Sequence, residues 1–214
     1  GGGTAGITVA AQLKNKMSTL EVQIFEPSEF HYYQPLYTLV GAGVDKKEKT
    51  KRLTKDYIPK GVDWVKQKVV SIDPENNNIK DENGKSYSYD YLIVAPGIQL
   101  DWHLIEGLKD TLGKNGVCSV YGYQESEDTF KVLQDFKGGN AVFTAGSTPV
   151  KCGGASQKIM YLSEAFFRKK KNRNETQVIF ASAGTTIFGV PGFKEALQKI
   201  INNRKIETTK RLHF

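Results

Sequence analysis

Two stretches of the sequence carry residue types spaced for chemistry. Gly1, Gly3 and Gly6 satisfy the pattern G-x-G-x-x-G and run into an alanine-rich segment, Ile7 to Met17, that predicts a helix. The free N–H groups and positive dipole end of such a helix can hold a pyrophosphate. Glu26 stands at the end of the next predicted strand, Glu21 to Phe25. An acid there, about twenty residues past the glycines, normally accepts hydrogen bonds from a ribose hydroxyl. The plainer alternative is a glycine-rich turn and a surface glutamate.

The second stretch is Ala145-Gly146-Ser147-Thr148-Pro149-Val150-Lys151-Cys152-Gly153-Gly154, which joins a predicted strand, Ala141 to Ala145, to a predicted helix, Ala155 to Lys169. Cys152 falls just before that helix. The helix dipole and the adjoining Lys151 both favour a thiolate, and the flanking glycines leave room for a substrate or flavin to approach. The plainer alternative is an inert small apolar side chain at a helix start. An NADH-binding unit would carry a second glycine fingerprint after Ala145, and this loop has none.

Composition narrows the function classes. The chain has 214 residues, 39% hydrophobic and 25% charged, which predicts a globular protein with a sizeable core. No uncharged apolar window reaches the roughly eighteen residues of a membrane span, and no signal or transit segment is visible. Two cysteines, Cys118 and Cys152, do not make a disulfide scaffold, and with His31, His103 and His213 they form no zinc spacing. No metal site is expected, and the thiols fit a reducing compartment or catalysis. The net charge of +7 and pI near 9.2 would suit an anionic partner. The basic residues are scattered, with short runs at Lys46-Lys47 and Arg168-Lys169-Lys170-Lys171 that read as solvated faces. Without an aromatic-basic motif, no nucleic-acid partner is expected.

The elements that must position these residues follow an α/β pattern. A β-α-β unit needs a strand before its glycines, so the natural N-terminus is expected upstream of Gly1. Residues 44–60 read as an exposed loop with room for one helical turn. Asp63 to Ile72, Asn78 to Lys80 and Ser86 to Tyr89 read as strands of a β-meander, with Asn83-Gly84 as a two-residue turn at positive φ. Such a meander commonly interrupts the flavin-binding form of the fold. Tyr91 to Ala95 reads as a strand buried on both faces, stopped by Pro96-Gly97. Gly113 to Gly116 marks a crossing between domains. Beyond it the spacing predicts helix Glu125 to Phe136, strand Ala141 to Ala145, helix Ala155 to Lys169, strand Gln177 to Ala181 and helix Phe193 to Asn203. Ile159, Leu162 and Phe166 share one helical face, as do Phe193, Leu197 and Ile200 or Ile201. The alternation implies a parallel sheet covered by helices.

The run Pro149 to Ala165, PVKCGGASQKIMYLSEA, closely resembles the redox-cysteine segment of sulfide:quinone oxidoreductases of the mitochondrial type. Phe30 to Gly43 (FHYYQPLYTLVGAG) and Leu92 to Leu100 (LIVAPGIQL) resemble the same family. The resemblance implies two Rossmann-like dinucleotide-binding domains, the first with a β-meander insertion, truncated here at both ends. Residues 1–112 would be the FAD-binding domain without its first strand, and 113–214 an incomplete second, NAD-like domain carrying the cysteine. It implies oxidation of hydrogen sulfide, with two electrons passing through FAD to ubiquinone and the sulfane sulfur going to glutathione or sulfite. By position, Gly1, Gly3, Thr4, Ala5 and Gly6 would form the pyrophosphate loop, Glu26 would take the ribose, and Gln34, Val69 and Gly97 would belong to the FAD site. Cys152 matches the cysteine that carries sulfur as a persulfide.

In that family a second redox cysteine, the quinone site and the membrane-anchoring helices lie in a C-terminal half beyond Phe214, and the enzyme sits at the mitochondrial inner membrane. Cys118 is not expected to replace the second cysteine, and the fragment alone is expected to be inactive. The competing readings are a type II NADH:quinone oxidoreductase, which needs the missing NADH loop, and a flavin-binding remnant without turnover.

Overall fold

The computed structural model describes residues 1–148 and 150–210; Pro149, at the head of the cysteine segment, and His213 lie outside them. The chain divides into two compact units. The first comprises 1–33 and 48–99, the second 34–47 and 100 onward. This sets 100–112 with the second unit, whereas the sequence placed them in the first domain.

In the first unit the glycine loop leads into α1 (Thr4–Lys16), then β1 (Val22–Phe25) and β2 (Phe30–Tyr32). Ala10 is the buried residue of α1. The helix stops where Lys14 Nζ donates to the carbonyls of Ser18 and Leu20, at 2.6 and 2.8 Å, placing a cation at the negative end of the dipole. β1 pairs in parallel with β4 (Val62–Val65), Val22 opposite Val62 and Phe25 opposite Val65. β2 pairs antiparallel with β3 (Lys51–Leu53). The stretch read as an open loop therefore holds a strand, flanked by 3-10 turns at Lys47–Thr50 and Thr54–Asp56.

The strand expected over Asp63 to Ile72 divides in two: its first part lies in β4, which pairs with β1, and its second in β5 (Val69–Asp73), which with β6 (Asn78–Asp81) and β7 (Ser86–Ser88) forms the meander. Its second turn differs in detail. Gly84 takes φ +82°, but Asn83 does not enter the left-handed region. The buried Asp81 shapes the turn instead, its Oδ1 accepting the N–H groups of Asn83 and Lys85, each at 2.9 Å. A side chain thus supplies what a second positive φ would have supplied. Within the meander the left-handed asparagine is Asn77, at φ 48°, in the preceding turn.

The reading of Tyr91 to Ala95 as a buried strand is corrected. The segment forms no strand, and Tyr91 is 91% exposed and Val94 61%. Leu92 and Ala95 are half-buried, but among the described residues no strand pairs with the segment, so its backbone groups have no ladder to join.

The second unit contains α2 (Tyr37–Gly41), α3 (Leu108–Thr111), α4 (Tyr123–Asp135), β8 (Gly139–Ala145), α5 (Ala155–Lys170), β9 (Thr176–Ser182), α6 (Pro191–Asn203) and β10 (Glu207–Lys210). The strands form a parallel sheet in the order β10-β9-β8. Its central strand and the helices share one core containing Val178, Phe180, Met160, Phe167 and Ile201. β9 is buried on both faces, as its unbroken run of apolar residues requires. On α6 the apolar face resolves to Ile201, with Leu197 packed partly against the core and Phe193 left largely exposed in the first turn. Lys47 fastens the 34–47 segment to α4, donating to Glu127 Oε2 at 2.6 Å and Gln124 Oε1 at 2.9 Å. Glu164 is fully buried on α5 and receives Arg168, Arg173 and Arg204.

Among the described residues no helix is long and apolar enough to cross a membrane, and no group of three His, Cys, Asp or Glu residues is placed to hold a metal ion.

Candidate functional site: a glycine cradle and an exposed cysteine

The first-unit cradle is built by close backbone approach. A Cβ on Gly6 would stand 1.8 Å from the Gly1 carbonyl oxygen, and one on Gly1 would stand 2.1 Å from that of Ala95. A Cβ on Gly2 would meet the Glu26 side chain at 2.6 Å. Only hydrogen fits at these positions. Gly3 has nothing within 4 Å of its missing Cβ and is the N-cap of α1, with no side-chain cap and no acidic residue in the first turn. Thr4 and Ala5 are exposed there. The end of α1 thus presents uncapped N–H groups and a positive dipole end, which suits an anion.

Glu26 closes the cradle. Its Oε2 accepts the Gly2 N–H and its Oε1 accepts the Ser28 N–H, both at 2.9 Å. Its backbone is fixed as well, with the carbonyl accepting Trp64 Nε1–H at 2.8 Å. Each carboxylate oxygen keeps a lone pair for a hydroxyl.

Two further candidates lie in this unit. Val69 is half-buried at the start of β5, beside the irregular pairing between Val69 and Ser71. Gly97 is exposed at φ +80° with open space around it, so conformation and not crowding calls for glycine there.

Cys152 and Gln34 belong to the second unit. Cys152 is a free, exposed thiol. Its carbonyl accepts the Ala155 N–H at 3.1 Å, forming the turn that starts α5 after the N-cap Gly154. Val150, Lys151 and Gly153 are also exposed. Lys151 Nζ donates to Gln34 Oε1, which joins the cysteine loop to the 3-10 turn Gln34–Leu36 across 117 residues of sequence. Desolvation pushes the Lys151 ammonium below its ordinary pKa.

Tyr121 is the neighbour that sequence reasoning missed. Its phenol is pushed up first by burial and then by the charge of a Cys152 thiolate. Neither Tyr121 nor the Gln34 to Lys151 bond has a local sequence signal, since both depend on the fold of the second unit. Cys118 is half-buried, and burial pushes its thiol up against a smaller opposing effect of a hydrogen bond with Thr129. The structure therefore sorts the candidates into a first-unit cradle of Gly1, Gly3, Thr4, Ala5, Gly6 and Glu26, and a second-unit group of Gln34, Lys151 and Cys152.

A crowded glycine loop at an uncapped helix end, which suits a dinucleotide phosphate, and a free exposed thiol at the start of a later helix fit a flavin-dependent or pyridine-nucleotide-dependent oxidoreductase. Residues 1–208 match the sequence pattern of the pyridine nucleotide-disulphide oxidoreductase family, and the chain belongs to that family. It is 48% identical over 206 residues to the mitochondrial sulfide:quinone oxidoreductase of Mus musculus, covering 96% of this chain and 46% of that protein. It is 45% identical over 208 residues to the mitochondrial sulfide:quinone oxidoreductase of Dictyostelium discoideum, with the same coverage of each. The crystal structure of the sulfide:quinone oxidoreductase from Aquifex aeolicus covers 100% of this chain and 50% of its own, with a TM-score of 0.79 at 22% identity, which shows a shared fold. The chain spans about half the length of the relatives it matches.

FAD is the cofactor of the family. The cradle fits that group: its crowded glycines and uncapped helix end suit a pyrophosphate, and Glu26 suits a ribose diol.

Proposed function

We propose that this protein oxidises hydrogen sulfide through Cys152 and FAD, with ubiquinone as electron acceptor. The observation that carries the reading is the free, exposed Cys152 at the start of α5, in a chain 48% and 45% identical to two sulfide:quinone oxidoreductases.

In this reading Gly1, Gly3, Thr4, Ala5 and Gly6 hold the pyrophosphate, Glu26 the adenosine ribose, and Gln34, Val69 and Gly97 line the remainder of the site. When bound, FAD would supply a two-electron acceptor for the sulfur chemistry at Cys152, with quinone as the final acceptor. At Cys152 a sulfur–sulfur bond forms between Sγ and hydrosulfide, two electrons leave, and the two protons carried by thiol and hydrosulfide are released. The outer sulfur of the resulting persulfide then moves to an acceptor such as glutathione or sulfite, which restores the Cys152 thiolate. Mitochondrial placement is supported by the names of the relatives, and association with the inner membrane belongs to the same proposal. The division into an FAD-binding domain, 1–112, and a second domain, 113–214, stands with it.

The test is Cys152→Ser in the full-length protein. The variant should keep its flavin and lose sulfide-driven quinone reduction; retained activity would sink the proposal. An NADH-driven quinone reductase is the competing reading, and the β8 to α5 loop offers it no glycine fingerprint.

A further inference from the structure

The folded chain does not need a glycine at position 154. Gly154 is the N-cap of α5, where a side chain that accepts a backbone N–H is normally favoured. Its φ of −95° is one that any residue adopts. Crowding does not call for glycine either, as it does at Gly1 and Gly6. Beyond the adjoining chain, two atoms come within 4 Å of the missing Cβ: Phe188 Cε2 at 3.8 Å and Cys152 Sγ at 3.9 Å, both at ordinary contact distance. Gly154 therefore leaves a methyl-sized space bordered by the cysteine sulfur and an aromatic ring.

That ring is firmly held. Ile187 is buried in the core of the second unit, and its carbonyl accepts from the amide of Gln157, a buried residue in the first turn of α5. Gln157 is fixed in turn by Tyr161, whose hydroxyl donates to Gln157 Oε1 at 3.3 Å. The Phe188 carbonyl accepts Thr186 Oγ1–H at 3.0 Å, and the Phe188 ring meets Phe193 edge to face, with centroids 6.4 Å apart. The segment carrying Phe188 is thus pinned to the helix that starts beside Cys152.

We propose that the space over Gly154, walled by Phe188, receives the outer sulfur of a Cys152 persulfide. The proposal rests on the reading of Cys152 as the sulfur carrier. A sulfur–sulfur bond is about 2.05 Å long, so an outer sulfur directed from Sγ into this space lies roughly 2 Å from the missing Cβ, where it and a methyl exclude each other. The outer sulfur is polarizable and gains from contact with an aromatic ring. Alanine at 154 leaves room for the thiol, and glycine leaves room for the second sulfur as well.

The test loads sulfur without turnover. Reduced full-length protein is treated under argon with inorganic tetrasulfide; Sγ bonds to a terminal sulfur, the adjacent sulfur–sulfur bond breaks, and its electron pair leaves on trisulfide. After gel filtration cyanide is added, which takes the outer sulfur as thiocyanate and leaves the Cys152 thiolate. Mass spectrometry of the alkylated Cys152 peptide at intervals gives the fraction still carrying the extra sulfur. Gly154→Ala should shorten the persulfide lifetime at least about tenfold, within the range an overpacked methyl costs. Its free thiol should alkylate as in the unchanged protein, and its unfolding temperature should not fall. Gly153→Ala is the control, because a methyl there meets nothing within 4 Å, and it should leave the lifetime unchanged. Phe188→Ala removes the wall and should shorten the lifetime.

An unchanged lifetime in Gly154→Ala, or an equal loss in Gly153→Ala, would overturn the proposal, and an unchanged lifetime in Phe188→Ala would overturn the part given to the ring. Because tetrasulfide loading bypasses flavin and quinone, sulfide oxidation that survived Cys152→Ser would remove the functional reading and leave these lifetimes standing. Equal lifetimes alongside Cys152-dependent sulfide oxidation would remove the inference alone.

Discussion

Arg173 donates from Nε to Oε1 of the fully buried Glu164 at 3.0 Å, tying the turn before β9 to the middle of α5. Arg168 reaches the same oxygen at 2.5 Å, and Arg204, just past α6, reaches Oε2 at 3.1 Å. Arg173 also donates to the carbonyls of Thr176 and Arg204, each at 2.7 Å. One carboxylate thus gathers the ends of three elements beneath the helix that begins at the cysteine loop.

Glu164→Gln should be among the most destabilising single changes in the second unit. It leaves three guanidinium groups without their anion, and breaking a buried ion pair costs about 3–5 kcal/mol. A thermal or urea unfolding curve of the full-length protein should show the loss. Arg168→Ala should cost far less, because Arg168 is half exposed.

Gly6→Ala should empty the cradle without unfolding the second unit. The new methyl would fall 1.8 Å from the Gly1 carbonyl oxygen, so the loop must open. Flavin content, read as the ratio of absorbance at the oxidised-flavin band to that of the protein, should fall about tenfold or more, corresponding to at least ~1.4 kcal/mol of binding.

Glu26→Gln separates charge from shape. A carboxamide can accept only one of the two N–H groups from Gly2 and Ser28 that the carboxylate now accepts. Its NH2 group then faces the other donor, and a charged hydrogen bond is worth about 1.5–3 kcal/mol. FAD affinity, measured by titrating apoprotein, should weaken by at least tenfold.

Cys118 provides the internal control for Cys152. Burial holds its thiol above its ordinary pKa. The folded state therefore retains this proton after the unfolded chain has lost it, so the contribution to stability is intact below the ordinary thiol pKa and declines as pH rises through and above that value. At neutral pH Cys118 should alkylate more slowly than the exposed Cys152, and Cys118→Ser should leave sulfide oxidation in place.

What the sequence could reveal depended on how local the cause was. β8, α5 and β9 were legible because their apolar periods and their flanking turns are written in consecutive residues. The glycine cradle and Glu26 were legible for the same reason, as a pattern with fixed spacing. The short β2 and β3 pair was not, since Lys51 to Leu53 forms a strand only by meeting Phe30 to Tyr32. Asn83 misled because a side chain elsewhere, Asp81, took over the turn. Tyr91 to Ala95 has the composition of a buried strand, but no strand pairs with it among the described residues. Gln34 and Lys151, far apart in the chain, could be joined only by the fold.

The most direct test of the central claim is anaerobic titration of the oxidised flavin in the full-length protein, with sulfide added to one sample and NADH to another. The account predicts that sulfide bleaches the flavin absorbance, that NADH does not, and that Cys152→Ser abolishes the sulfide response. Bleaching by NADH alone, or sulfide bleaching that survives Cys152→Ser, would contradict it.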